Sequence, residues 1–146
     1  MNDVIEYLES EIMPEFKTVA ARLAGSLPSL TVSTESHYAG HPEDRAFWGM
    51  YISCLFREAT QEQIDLVDLC LEVANLQATP TVNADMCWGH PSGHIEMSFC
   101  EDWQDESDWP EASPEKIKQL RVFLPRLFTK LEEVLNGGPK PIEEEV

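Results

Sequence analysis

The chain has 146 residues with an apolar fraction of 42%, enough for one domain built on one core. Twenty-seven acids face ten bases, a formal net charge of −17, which repels phosphate backbones and argues against nucleic acid or anionic lipid as partners. No apolar run reaches the roughly 18 residues of a membrane-spanning helix, and the acidic start Met1-Asn2-Asp3 lacks the basic stretch of a secretory signal, so a cytoplasmic protein is expected.

Residues 3–24 read as a helix. Asp3 is placed to cap it, and Ile5, Leu8, Ile12, Phe16, Val19 and Leu23 recur at steps of three and four. Pro14 predicts an interruption near Met13, and Gly25-Ser26 ends the element. Residues 29–38 and 46–57 read as strands joined through His41-Pro42-Glu43-Asp44. In the second, Ala46, Trp48, Met50, Ile52, Cys54 and Phe56 alternate onto one face.

Residues 60–77 carry two competing periods. Leu69, Leu71 and Val73 alternate as in a strand. Gln61, Asp65, Asp68, Glu72 and Asn75 instead follow steps of four and three, a narrow polar stripe on a helix otherwise apolar, and Thr60 with Gln63 fits a capping box. The expectation here is a mostly buried helix that presents Asp65, Asp68 and Glu72 to solvent.

Residues 81–88 and 94–100 read as a second hairpin around His90-Pro91-Ser92-Gly93. Val82, Ala84, Met86 and Trp88 form one apolar set, and Ile95, Met97 and Phe99 the facing one. Residues 101–113 form a loop. Ser113-Pro114-Glu115 opens the last helix with a cap, a first-turn proline and an acid. Ile117, Leu120, Leu124, Leu127, Leu131 and Val134 give its apolar stripe, Pro125 is expected to bend it, and Asn136-Gly137-Gly138-Pro139 stops it.

The two hairpin segments look alike. Thr31-Val32-Ser33 precedes Tyr38-Ala39-Gly40-His41-Pro42, and Thr81-Val82-Asn83 precedes Trp88-Gly89-His90-Pro91. With a helix after each hairpin, this is compatible with an internal ββα duplication. The expected fold is α+β, of order α-β-β-α-β-β-α, an antiparallel sheet with helices packed on one face. A single domain spans 1–138, followed by an acidic tail over 139–146.

Four residue groups are candidates for chemistry or contact. His37, His41, His90 and His94 all fall at strand ends or turns with the same spacing in each hairpin, and converging tips would let them approach a ligand or a divalent metal near Cys87 or Glu96. Cys87 with His90 and His94 is a poor nucleophilic site, because Asp85 and its acidic surroundings oppose a thiolate. Cys54 and Cys70 lie in apolar runs and are expected to be buried and reduced. No cysteine pair has the spacing of a redox or zinc motif, and no phosphate-binding loop occurs. Trp103 and Trp109 lie in a loop with seven acids between Glu101 and Glu115. Unless these tryptophans fold back onto the core, they and Asp105, Glu106 and Asp108 form an acidic, aromatic contact surface for a partner rich in Lys or Arg.

Over 60–136 the chain resembles the type III secretion chaperone fold and the related bacterial sensory-transduction-regulator family. Leu69 to Leu76 resembles the middle helix of that fold, Thr81 to Phe99 the following hairpin, and Ser113 to Leu135 the last helix. The resemblance implies a homodimer that wraps an extended segment of a partner protein.

Together these features point to a non-catalytic acidic protein-binding module, chaperone- or adaptor-like, without a cofactor, which engages a basic or amphipathic protein segment. Two alternatives are an immunity-type inhibitor of a basic toxin and a small ligand- or metal-binding protein or enzyme using the hairpin histidines.

Charge also predicts a response to salt. From Glu58 to Glu115 there are 14 acids and no Lys or Arg, so mutual repulsion is expected in the folded state. Screening contracts to about 3 Å at about 1 M ionic strength. Added salt should therefore raise the melting temperature near neutral pH; a steady fall with salt would show that the acids are mostly paired.

Overall fold

The computed structural model describes residues 2–26, 30–38, 47–56, 66–76, 79–90, 95–100 and 108–137. The chain begins with helix α1 (Asn2–Tyr7), a π turn (Leu8–Ile12) and helix α2 (Met13–Ser26). Strands β1 (Leu30–Tyr38), β2 (Phe47–Phe56), β3 (Leu66–Ala74), β4 (Thr81–His90) and β5 (Ile95–Ser98) follow, and helix α3 (Pro114–Asn136) completes the described residues. All five strands form one antiparallel sheet in chain order, β1-β2-β3-β4-β5. The fold is α+β, as expected.

Its element order differs from the expectation at one decisive place: the segment read as the middle helix contains β3. Val67, Leu69, Leu71 and Val73 are all 0% exposed, while Asp68, Cys70 and Glu72 between them are half-buried on the opposite face. Antiparallel partners flank β3 on both edges, with Leu69 opposite Ile52 on β2 and Met86 on β4. The misleading polar stripe arose because positions 68 and 72 are neighbours under both periods: one turn apart on a helix, and on the same face of a strand. Among the described residues the first hairpin is followed by this strand and no helix, so the ββα repeat expected there is not formed by them. The element that the secretion-chaperone resemblance assigned to a middle helix is this strand; residues 60–65 lie outside the described ones.

The other elements follow the sequence pattern closely. Ile5, Leu8, Ile12, Phe16, Val19 and Leu23 are all buried. The interruption predicted by Pro14 is the π turn, closed by the Met13 N–H donating to Leu8 O. One widened turn accommodates a residue that has no N–H and whose ring would strike the carbonyl four residues back. Helix α3 is capped by Ser113, whose hydroxyl accepts from the Lys116 N–H at 3.2 Å, and it runs on through Pro125 to Gly137.

The helices cover one face of the sheet. Trp48, Met50, Ile52 and Cys54 of β2, the four buried β3 residues, and Val82, Ala84, Met86 and Trp88 of β4 join one cluster with Phe16 and Leu23 of α2 and Leu120, Leu124, Leu127 and Leu131 of α3. Phe16 and Phe128 meet edge to face, with ring centroids 5.5 Å apart. The helices are also tied by exposed ion pairs, Arg22 to Glu132 at 3.2 Å and Arg121 to Glu15 at 3.4 Å, which add little stability.

Strand β5 departs from the expected facing set. A register shift between Met86 and Cys87 puts Met97 opposite Met86 but Ile95 opposite Cys87, and Ile95 is 48% exposed. Beyond β5 the chain returns to β4: Val82 N–H donates to Pro110 O at 3.0 Å, Ala112 N–H donates to Pro80 O at 2.8 Å, and Thr81 bridges Glu111.

Leu69, at the centre of β3, tests this core. Leu69→Ala should lower unfolding free energy by ~2–5 kcal/mol in a denaturant titration. A loss below about 0.5 kcal/mol would mean that the site is not enclosed.

Candidate functional site

The face of the sheet turned away from the helices holds the most unusual chemistry among the described residues. Strand register arranges it as a grid. One row runs Glu35, Tyr51, Cys70, Asp85 and Ser98; the row beside it runs Ser33, Ser53, Asp68 and Cys87; on the other side lie Gly49, Glu72 and Asn83. Antiparallel sheets often leave one face wet and polar. This one is polar yet partly withdrawn from water. Tyr51, Ser53, Asp68, Cys70, Glu72 and Cys87 are half-buried, Asn83 is 2% exposed and Asp85 is 9% exposed.

Tyr51 and Gly49 depend on one another. The Tyr51 ring lies back over Gly49, where a Cβ would collide with its Oη and Cζ, and the phenol donates to Glu72 Oε2 at 3.1 Å. Burial, then the adjacent Glu72 carboxylate, pushes the phenol well above its ordinary pKa. Asn83 is held from the other side: its Oδ1 accepts from Cys100 N–H at 2.8 Å, and its amide donates to Ser98 Oγ at 3.4 Å.

The carboxylates are not so well served. Asp68 accepts from Ser53, but its Oδ1 is buried and has no hydrogen-bond partner among the described residues. Burial raises its pKa despite the Ser53 bond. Asp85 has neither a hydrogen bond nor an ion pair among the described residues. Its pKa is pushed up to about 7, first by burial and then by Glu72 and Asp68. The same burial raises Cys87 to about 12, with Asp85, Asp68 and Glu72 adding to it, and raises Cys70 further still. These thiols are therefore weak nucleophiles at neutral pH, as the acidic surroundings of Cys87 suggested. Cys54 is fully buried on the helix side as expected, whereas Cys70 is half-buried on the acidic face.

Cations are segregated from this face. No strand contains a Lys or Arg. The described bases, Lys17, Arg22, Lys116, Lys118, Arg121, Arg126 and Lys130, all lie on α2 and α3. The ion pairs described above join helix to helix.

The candidate residues drawn from the sequence fare differently. His37 lies one residue before the end of β1 opposite Gly49, and His90 ends β4 opposite Leu66, so the register places them at opposite ends of the sheet and three strands apart. The convergence needed for a four-histidine site is not formed by these two. His41 and His94 lie outside the described residues. Among the described residues, no group of three or more His, Cys, Asp or Glu is placed to hold a metal ion. Trp109 folds back and is 6% exposed, so it does not present a contact surface, while Asp108 beside it is exposed. Trp103, Asp105 and Glu106 lie outside the described residues. Sequence reading missed the grid itself, although its signal, polar residues at every second position of 68–72 and 83–87, is printed in the chain.

A second surface feature is apolar. A groove of about 660 Å³ lies between β5 and α3, lined by Ile95, Met97, Phe99, Val122 and Phe123 with Gln119 and Arg126. Ile95 and Val122 are two of the three exposed large apolar side chains among the described residues.

No protein family, curated protein or solved structure matches this chain.

Asp85 offers a direct test of the site's electrostatics. Its folded-state pKa lies above its unfolded value, so its contribution favours folding at low pH and is lost as pH rises from the ordinary carboxylate range through about 7. Asp85→Asn should flatten that part of the stability profile. It should also stabilise the protein at about pH 8, by an amount on the order of 2–4 kcal/mol. An unchanged profile in Asp85→Asn would show that Asp85 is solvated or paired.

Proposed function

We propose that this protein is a non-catalytic binding module whose acidic sheet face docks a basic or amphipathic segment of another protein. The observation that carries this reading is the segregation of charge: Asp68, Glu72 and Asp85 stand half-buried to buried on a sheet without a single Lys or Arg, while the described bases lie on the helices behind it. Asp68 Oδ1 is buried without a donor, and Asp85 is 9% exposed with none among the described residues, and a carboxylate in that position costs stability. A partner that supplies cationic donors would recover that loss on docking, and the low local dielectric would strengthen each contact.

Cytoplasmic residence agrees with reduced cysteines, and no helix of the described residues is long and apolar enough to cross a membrane. The secretion-chaperone likeness would supply a precedent for binding an extended segment. With β3 in place of the middle helix, however, the proposal rests on the sheet face and not on that likeness. An immunity-type inhibitor would use the same face against a basic toxin, and the two differ only in the partner.

Capture from the native host at low salt should retain a basic protein on the wild-type chain. Salt should release it, because exposed charge contacts are screened within about 8–10 Å at physiological ionic strength. The double variant Asp68→Asn/Glu72→Gln should capture it poorly, whereas Arg126→Ala on the opposite side should not change capture. Equal retention by the wild type and the double variant would rule out the sheet face as the docking surface.

A further inference from the structure

The acidic face contains more than negative charge, and one position on it is built for a particular cation. Cys70 has Asp85 directly opposite on β4, Tyr51 directly opposite on β2, and Asp68 and Glu72 two residues away on its own strand. Side chains on this face at diagonal positions stand about 7–8 Å apart at the backbone and closer at their tips. The small Cys70 thiol is therefore a floor, with three carboxylates and one aromatic ring around it.

Two of those carboxylates lack what buried acids normally have. Asp85, nine-tenths buried, makes no hydrogen bond or ion pair among the described residues, and Asp68 Oδ1 is likewise without a partner there. An ordinary solvated acidic patch keeps its oxygens in water. Here Asp68 Oδ1 is fully enclosed and Asp85 is only 9% exposed, and the register sets each diagonally across from the other and beside further acids.

We propose that this position is a seat for one arginine side chain of the partner, held over Cys70 between Asp85 and Asp68 with its plane against Tyr51; this rests on the sheet face being the docking surface. A guanidinium carries five N–H donors in a rigid planar fork and can serve two carboxylates at once. A lysine ammonium is a compact, strongly hydrated point charge and cannot span them in the same way. The Tyr51 ring, packed back over Gly49 and hydrogen-bonded to Glu72, adds an aromatic surface on which a guanidinium stacks. Occupation requires Asp85 ionised. Burial, then Glu72 and Asp68, disfavour that ionisation in the free protein, and its other neighbours Tyr51, Cys70 and Cys87 carry no positive charge, so binding of arginine should take up the penalty and strengthen as pH rises.

The test is a nuclear magnetic resonance titration of the isotope-labelled full chain with two capped pentapeptides, Gly-Ser-Arg-Ser-Gly and Gly-Ser-Lys-Ser-Gly, at about pH 6 and about pH 8. The arginine peptide should shift the amides of Asp68 to Glu72 and Ala84 to Cys87 saturably. It should bind at least about threefold tighter than the lysine peptide and several-fold tighter at the higher pH. Asp85→Asn should weaken it about tenfold, and Asp68→Asn should do so independently, both variants being checked for a native melting transition. Equal binding of the two peptides, with no effect of either variant, overturns the arginine seat while leaving the capture result to decide whether the face docks a partner. Shifts scattered over α2 and α3, or no shift at about 10 mM peptide, also overturn it.

Discussion

Strand β3 is the element on which the rest of the molecule depends. It is hydrogen-bonded along both edges, to β2 and to β4, and it is dry on one side. Four fully buried residues on that side, Val67, Leu69, Leu71 and Val73, anchor the contact with both helices. Each such side chain contributes about 1.5–3 kcal/mol relative to exposure. Because side chains alternate strictly in a strand, burying those four forces Asp68, Cys70 and Glu72 onto the other face. The acidic face is thus a geometric consequence of the core.

That coupling explains how Asp68 and Glu72 come to be half-buried on a sheet whose strands carry no Lys or Arg. A helix carrying the same acids would have turned them outward to water. A central strand places them beneath the side chains of two neighbouring strands, where Tyr51, Asn83 and Cys87 crowd them. The core gains enough from the helix side to tolerate the electrostatic penalty on the other. Placing every described base on α2 or α3 keeps that penalty uncompensated within the described structure, which is unusual for a fold that has cations to spare on its other side.

The helix layer shows how local defects are absorbed. Pro14 falls in the middle of an otherwise regular apolar stripe, and a single π turn keeps Ile12, Phe16 and Val19 in the core on either side of it. Pro125 sits on the exposed side of α3 between Leu124 and Leu127, both buried, so the missing N–H falls away from the sheet. At the far edge, the register shift in β5 turns Ile95 outward and, with Val122, forms an apolar rim. The edge of β4 is covered partly by β5 and partly by residues 110–112, which limits the free hydrogen-bonding row there.

Much of this was legible residue by residue. The stripe from Ile5 to Leu23, the alternation of β2 and β4, the Ser113 cap and the break at Pro14 each follow from a local rule that no distant contact overrides. The charge imbalance and the empty stretch of bases from Glu58 to Glu115 are likewise properties of the chain alone. What the chain left undecided was 66–74, where Leu-Val-Asp-Leu-Cys-Leu-Glu-Val-Ala satisfies a helical and a strand period together. Its state was decided by β2 and β4, whose edges offer hydrogen-bonding partners and whose buried faces match its own. Such long-range pairing cannot be read from an isolated segment. The acidic grid, the seclusion of Asp85 and the separation of His37 from His90 all follow from that pairing, because register between strands is a property of tertiary structure and not of any one strand.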